Sequence, residues 1–139
     1  MTRRYVLDAC ALLALLRDEE GADMVAGVIN AANAGEADAA IHKANLLEVY
    51  YDVYRFAGKA KADEIIREIK ACPISVISDI SDALFEEAGR FKASYNISFA
   101  DTFALATASV TGAALLTTDH HEMDRIEQTE QTVKFQWVR

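Results

Sequence analysis

The sequence predicts an α/β fold, a three-layer α/β/α sandwich around a mostly parallel central sheet, on three observations. Short apolar runs alternate with longer segments of helical period along the chain, the pattern of parallel strands joined by helical crossovers. Glycine is sparse and proline occurs once, at Pro73, so connections between elements are short. No repeat, linker or low-complexity stretch divides the 139 residues, so 1–139 is expected to form one domain large enough to bury a core.

The elements follow in order. Tyr5, Val6 and Leu7 read as a short buried strand ended by Asp8, and ACALLALLR as a helix for which Asp8 is the N-cap. Gly21 to about Ala34 is a second helix, with Met24, Val25, Val28 and Ile29 as its apolar stripe. Asp38 to His42 is a weak strand candidate, because alanine favours strands little and Ile41 carries the assignment. Lys43 to Phe56 is a helix whose apolar face is expected at Leu47, Tyr50, Tyr51 and Tyr54, ended by Gly58. Lys59 to Ala71 follows with Ala62, Ile65, Ile66 and Ile69 inward, and Pro73 stops it.

Ile74 to Ile77 is a short strand. Asp79 to about Tyr95 is a helix with Leu84, Phe85, Ala88 and Phe91 at helical spacing. The next helix runs from about Ser98 to Gly112, and Ala113 to Thr117 is a buried strand. A short helix covers His120 to Ile126. TVKFQWV then alternates, with Val133, Phe135 and Trp137 on one side, as a half-buried edge strand.

Composition bounds the function. Hydrophobic residues make up 52% of the chain, which excludes disorder. Apolar stretches stay below the roughly 18 residues a membrane helix needs. The N-terminal run resembles a signal peptide only superficially: Asp8 interrupts it, and Asp18, Glu19 and Glu20 close it, so a cytoplasmic protein is expected. Cys10 and Cys72 have no metal-ligand or redox spacing and are expected as free thiols. The net charge of −8 argues against a broad electrostatic grip on nucleic acid. It leaves room for an enzyme that reaches phosphates through a bound cation. The basic residues that bunch, Arg55, Lys59 and Lys61, read as solvated helix ends.

Four acids stand out by position. In open parallel sheets, ligands bind beyond the C-terminal ends of the strands. Asp8 follows the first strand directly, and Asp119 follows the AALLT strand after Thr117 and Thr118. Asp101 falls in the first turn of the FADTFALATASV helix. Glu48 interrupts NLLEVYYDVY, and its i+4 neighbour is Asp52, not a base, so no helical ion pair explains it. Taken singly, each has a bland reading: Asp8 as an N-cap, Ser98 with Asp101 and Asp119 with Glu122 as capping boxes, Glu48 as a solvated acid. Taken together, four converging carboxylates do not all ionise without a cation. Hard oxygen donors without cysteine suit Mg²⁺ or Mn²⁺, which hold phosphates and generate a nucleophilic water. Asn45 and Thr118 are placed to orient water or phosphate.

YVLDACALLALL, NLLEVYYD, SFADTFALATA and LLTTD, in that order and spacing, resemble the PIN-domain ribonucleases, in particular the VapC-type toxins of toxin–antitoxin pairs. The resemblance spans nearly the whole chain. It implies a PIN-like sandwich, metal-dependent endoribonuclease activity with Mg²⁺ or Mn²⁺, and Asp8, Glu48, Asp101 and Asp119 as the acidic site. It also implies a homodimer and a cognate antitoxin that blocks the site. The chain departs from the family in Thr102, where a small apolar residue is usual, and in HHEMD after Asp119, which implies one tightly held metal and a weaker second.

His120 and His121, about 100° apart on a helix, do not bind one metal as a pair. His120 and Asp124 share a face, and His120 is placed to touch an RNA phosphate or assist a proton transfer. No GxSxG elbow supports a serine hydrolase. No lysine follows AALLTT as a phosphoacceptor signalling domain would need. The alternative to the nuclease is a catalytically weak PIN-fold module that binds RNA or protein.

Overall fold

The computed structural model describes residues 2–139. The chain runs β1 (Arg3–Leu7), α1 (Ala9–Leu16), α2 (Ala22–Asn33), β2 (Ala37–His42), α3 (Lys43–Ala57), α4 (Lys59–Ala71), β3 (Ile74–Ile77), α5 (Asp82–Ser94), α6 (Phe99–Thr111), β4 (Ala114–Thr117), α7 (His120–Thr129) and β5 (Lys134–Trp137). The five strands form one sheet in the order β3-β2-β1-β4-β5. All four pairings are parallel, the edge strand β5 included.

Alternation along the central strands builds the three layers. Adjacent strand residues face opposite ways. Leu7 and Leu116 enter a core with Leu12, Val25, Val49 and Ile69, from the helices α1 to α4. Their neighbours Val6 and Leu115 enter a second core with Phe91, Leu105, Met123 and Ile126, from α5, α6 and α7. Burial on both faces explains why the ends of β1 and β4, Val6–Leu7 and Leu115–Leu116, read as unbroken apolar runs.

Chain order sets where the C-terminal strand ends meet. The path goes outward from β1 to β2 and β3, then returns to the other side of β1 with β4. The switch point therefore lies between β1 and β4, where a crevice opens between diverging crossovers. Leu7 pairs with Leu116, and the Asp8 amide donates to the Leu116 carbonyl, so Asp8 begins beside Thr117.

Several element ends differ from expectation because a cap decides them. The helix expected from Asp79 begins at Asp82, since the Ser81 hydroxyl accepts from the Leu84 amide at 3.2 Å. The last helix continues past Ile126 to Thr129. The apolar face expected of α3 is corrected. Asn45, Leu46 and Val49 are buried, whereas Leu47, Tyr51 and Tyr54 stand 58%, 44% and 46% exposed. Apolar residues surround most of this helix, so spacing alone could not choose the stripe the sheet takes. Phe85, expected inward, and Met24 are also exposed. Cys10 and Cys72 are free and half-buried, as expected. Among the described residues no helix is long and apolar enough to cross a membrane.

Candidate active site

Asp8 is fully buried at the start of α1. One carboxylate oxygen accepts from the Ala11 amide at 2.9 Å, the N-cap expected from the sequence. The other accepts from the Thr117 hydroxyl. That same hydroxyl accepts from the Asp119 amide at 3.0 Å, so Thr117 bridges two of the acids. Asp119 is half-buried and caps α7, its carboxylate accepting from the Glu122 amide at 3.1 Å.

Asp101 is buried in the first turn of α6, where Ser98 accepts from its amide at 3.1 Å. Thr102, the residue that departs from the family pattern, donates its hydroxyl to the Ser98 carbonyl at 3.1 Å. Glu48 is half-buried on α3. Asp52, one turn on, pairs with Arg17 at the end of α1 and leaves Glu48 without a base. The capping readings thus hold: the Asp8 and Asp119 carboxylates accept amides at the starts of α1 and α7, and Ser98 caps α6 at Asp101.

The electrostatics show that these groups sense one another. Burial pushes Asp8 up to about 7, with Thr117 and Ala11 opposing and the charges of Asp101 and Asp119 adding. Burial likewise pushes Asp101 up to about 6, reinforced by Asp119, Glu48 and Glu122. Glu48 is raised by burial, then by Asp119 and Asp52. The Cys10 thiol is pushed up by burial and by all four acids, which makes it inert. Among the described residues no lysine or arginine forms an ion pair with Asp8, Glu48, Asp101 or Asp119.

Asn45 completes the arrangement. It is fully buried, its amide nitrogen donates to the Ala100 carbonyl at 2.9 Å, and its oxygen has no partner. A buried amide oxygen without a donor marks a place for water or a ligand. Hard oxygen donors, unpaired carboxyls that resist ionisation and this free acceptor together fit Mg²⁺ or Mn²⁺. Among the described residues no three His, Cys, Asp or Glu side chains form a ready-made metal cage.

The PIN domain family model matches residues 5–128. This chain belongs to the PIN-domain family. The PIN fold extends to solved structures across most of its length. VapBC2 from Rickettsia felis, bound to a DNA fragment from its promoter, superposes with a TM-score of 0.75 at 18% identity over 96% of this chain and 98% of that one. DNA-bound VapBC from Salmonella typhimurium gives 0.73 at 14% identity, covering 100% of both chains. The sarcin–ricin-loop-cleaving toxin VapC20 from Mycobacterium tuberculosis gives 0.61 at 16% identity, covering 87% of this chain and 94% of that one. No curated protein matches the sequence.

Two residues of this PIN domain escaped the sequence reading. Thr117, not Thr118, carries the hydroxyl that joins Asp8 to Asp119. Thr118 contributes its carbonyl, accepting from the His120 amide at 3.1 Å. Either threonine fits the sequence, and only strand register separates them. Glu122, the cap partner of Asp119, also raises Asp101 by its charge.

His120 has partners at the C-terminal end of the chain. Nδ1 meets Asp124 at 2.7 Å and Nε2 meets the Arg139 carbonyl at 2.6 Å. Its ring stacks on Trp137 at 3.8 Å and 11°. The Arg139 carbonyl and Asp124 raise its pKa. Of the bunched cations, Lys59 pairs with Asp63 at 2.6 Å and Lys61 with Glu64 at 3.5 Å, as solvated helix ends should.

Proposed function

We propose that this PIN domain is a metal-dependent endoribonuclease, cleaving RNA phosphodiester bonds as the toxin of a toxin–antitoxin pair. One observation carries the reading: two buried carboxyls, Asp8 and Asp101, sit at the switch point of the sheet with no cationic side chain to balance them. Buried, mutually repelling carboxyls with no cation beside them are the signature of a functional site. Asp8, Glu48, Asp101 and Asp119 would hold Mg²⁺ or Mn²⁺, in part through water. When bound, the cation would supply the positive charge that offsets the scissile phosphate and lowers the pKa of an attacking water.

The chain's own residues do the rest. Thr117 holds Asp8 and the Asp119 backbone in one register. The unpaired Asn45 oxygen would accept a hydrogen bond from a water or ligand donor. Glu48, half-exposed and unpaired, is the acid best placed to take a proton. His120 would reach a phosphate only by giving up a present partner.

Partners follow from the resemblance and from the neighbours, which are VapBC complexes. An antitoxin and a second copy of the chain each need apolar surface. Phe56, Phe85 and Phe99, exposed by 90%, 71% and 70%, offer it. The sarcin–ricin-loop-cleaving neighbour points to a structured RNA as substrate class.

The test is cleavage of a total-RNA and tRNA panel by wild type and Asp101→Asn, with Mn²⁺ or with EDTA. Discrete products that require both the metal and Asp101 are expected. No cleavage by folded, antitoxin-free protein would defeat the reading. The weaker alternative, a module that only binds, draws on the absence of a ready-made metal cage among the described residues. Calorimetry separates the two, since a dead site takes up no Mn²⁺.

A further inference from the structure

His42, the last residue of β2, is a buried histidine that neither the acids nor the family motifs employ. Its partners fix its chemical form. The Ala44 amide can only donate, and it points at Nδ1 at 3.0 Å. Nδ1 therefore presents its lone pair, and the proton sits on Nε2, which donates to the Asp79 carbonyl at 3.2 Å. A neutral imidazole thus serves as the N-cap of α3, a position that serine, threonine, aspartate or asparagine usually fills.

The ring does more than cap. It stacks on Phe103 of α6 at 4.8 Å and 25°. Three residues on, Asn45 donates to Ala100 of α6. Asp101 lies between Ala100 and Phe103, so the two α6 residues that flank it are both held from the start of α3. Glu48 sits one turn beyond Asn45 on the same helix. The Asp79 bond adds a third tie, to the segment that leads into α5. A small cap such as serine would satisfy Ala44 and reach neither Phe103 nor Asp79.

We propose that His42 is a positioning residue: a neutral-imidazole cap that docks α3 on α6 and so holds Asn45 and Glu48 against Asp101. The proposal rests on the nuclease reading for its consequence in activity, but its geometry stands apart from that reading.

Two variants test it. His42→Ala removes cap, stack and Asp79 bond together. His42→Asn restores a capping oxygen without the ring. Nitrogen–proton NMR of the wild type should show a single Nε2–H tautomer for His42. Exchange of the Ala44 amide should quicken about fivefold to tenfold in His42→Ala, as loss of an N-cap implies, and recover in His42→Asn. RNA turnover should fall about tenfold or more in both variants, in kcat more than in KM, because small misplacements of reacting groups cost that much. Mn²⁺ affinity should fall alongside.

Wild-type kcat and Mn²⁺ affinity in folded His42→Ala would overturn the proposal, as would an Nδ1–H tautomer in the wild type. A wild type that binds Mn²⁺ and cuts no RNA would instead overturn the nuclease reading. Weakened Mn²⁺ binding in His42→Ala would then still support the positioning role.

Discussion

At neutral pH the Asp8 carboxyl sits close to its own midpoint. The folded chain keeps its proton up to about 7, while the unfolded chain releases it near the ordinary 3.8. Between those values the folded state binds more protons, so this group's contribution to stability falls as pH rises from about 4 to about 7. Asp101, raised to about 6, acts in the same direction. Asp8→Asn removes the burden and leaves a side chain that still caps α1. Its metal-free melting temperature at pH 8 should exceed the wild type's by about 3 °C or more, while RNA cleavage is lost. Identical pH 8 melts would refute the electrostatic account. Thr117 gives a second test at this scale. Thr117→Val keeps the volume but strands a buried Asp8 oxygen and the Asp119 amide, at a cost of about 1–3 kcal/mol. Turnover should drop, and Thr117→Ser should restore it. Restoration by Ser but not by Val would assign the effect to the hydroxyl.

Among the elements, the C-terminal segment depends on a contact far away in sequence. Gly21 begins α2 at φ 96°, where a side chain is strained, and an added Cβ would lie 2.3 Å from the Val138 side chain and 2.8 Å from its carbonyl oxygen. Gly21→Ala should destabilise the chain by more than about 1 kcal/mol, seen as a lowered denaturation midpoint. A neutral effect would mean that Val138 yields freely. The end of the chain is also held by the His120 stack on Trp137, which helps seat α7 and its cap, Asp119. Helix α3 illustrates a limit of periodicity. Its buried stripe runs through Asn45, Leu46 and Val49, and a polar residue in that stripe hides it from any apolar count. The strand at Ala37–His42 is equally hard to read, because neighbours on both sides supply what its alanines lack.

For the molecule as a whole, the proposed metal would bear directly on stability. Saturating Mn²⁺ should raise the melting temperature more at pH 7.5 than at pH 5, since it stabilises the ionised carboxylates that burial opposes. At about a hundredfold excess over Kd the gain approaches about 2.7 kcal/mol, and EDTA should reverse it. Equal stabilisation at both pH values would place the ion elsewhere. The sequence by itself determined the alternation of strands and helices, the ends of β1 and β4, and the acids that follow them, Asp8 and Asp119. These are local facts: an apolar run, an acid at its end, a cap three residues on. Tertiary structure alone decided that Thr117 rather than Thr118 bridges the acids, that Glu122 reaches Asp101, that His42 caps α3 and that His120 turns to Trp137. Each depends on strand register or on a contact between distant segments. Burial near one another, which no local pattern encodes, is what makes the separately capped Asp8, Asp101 and Asp119 sense one another's charge.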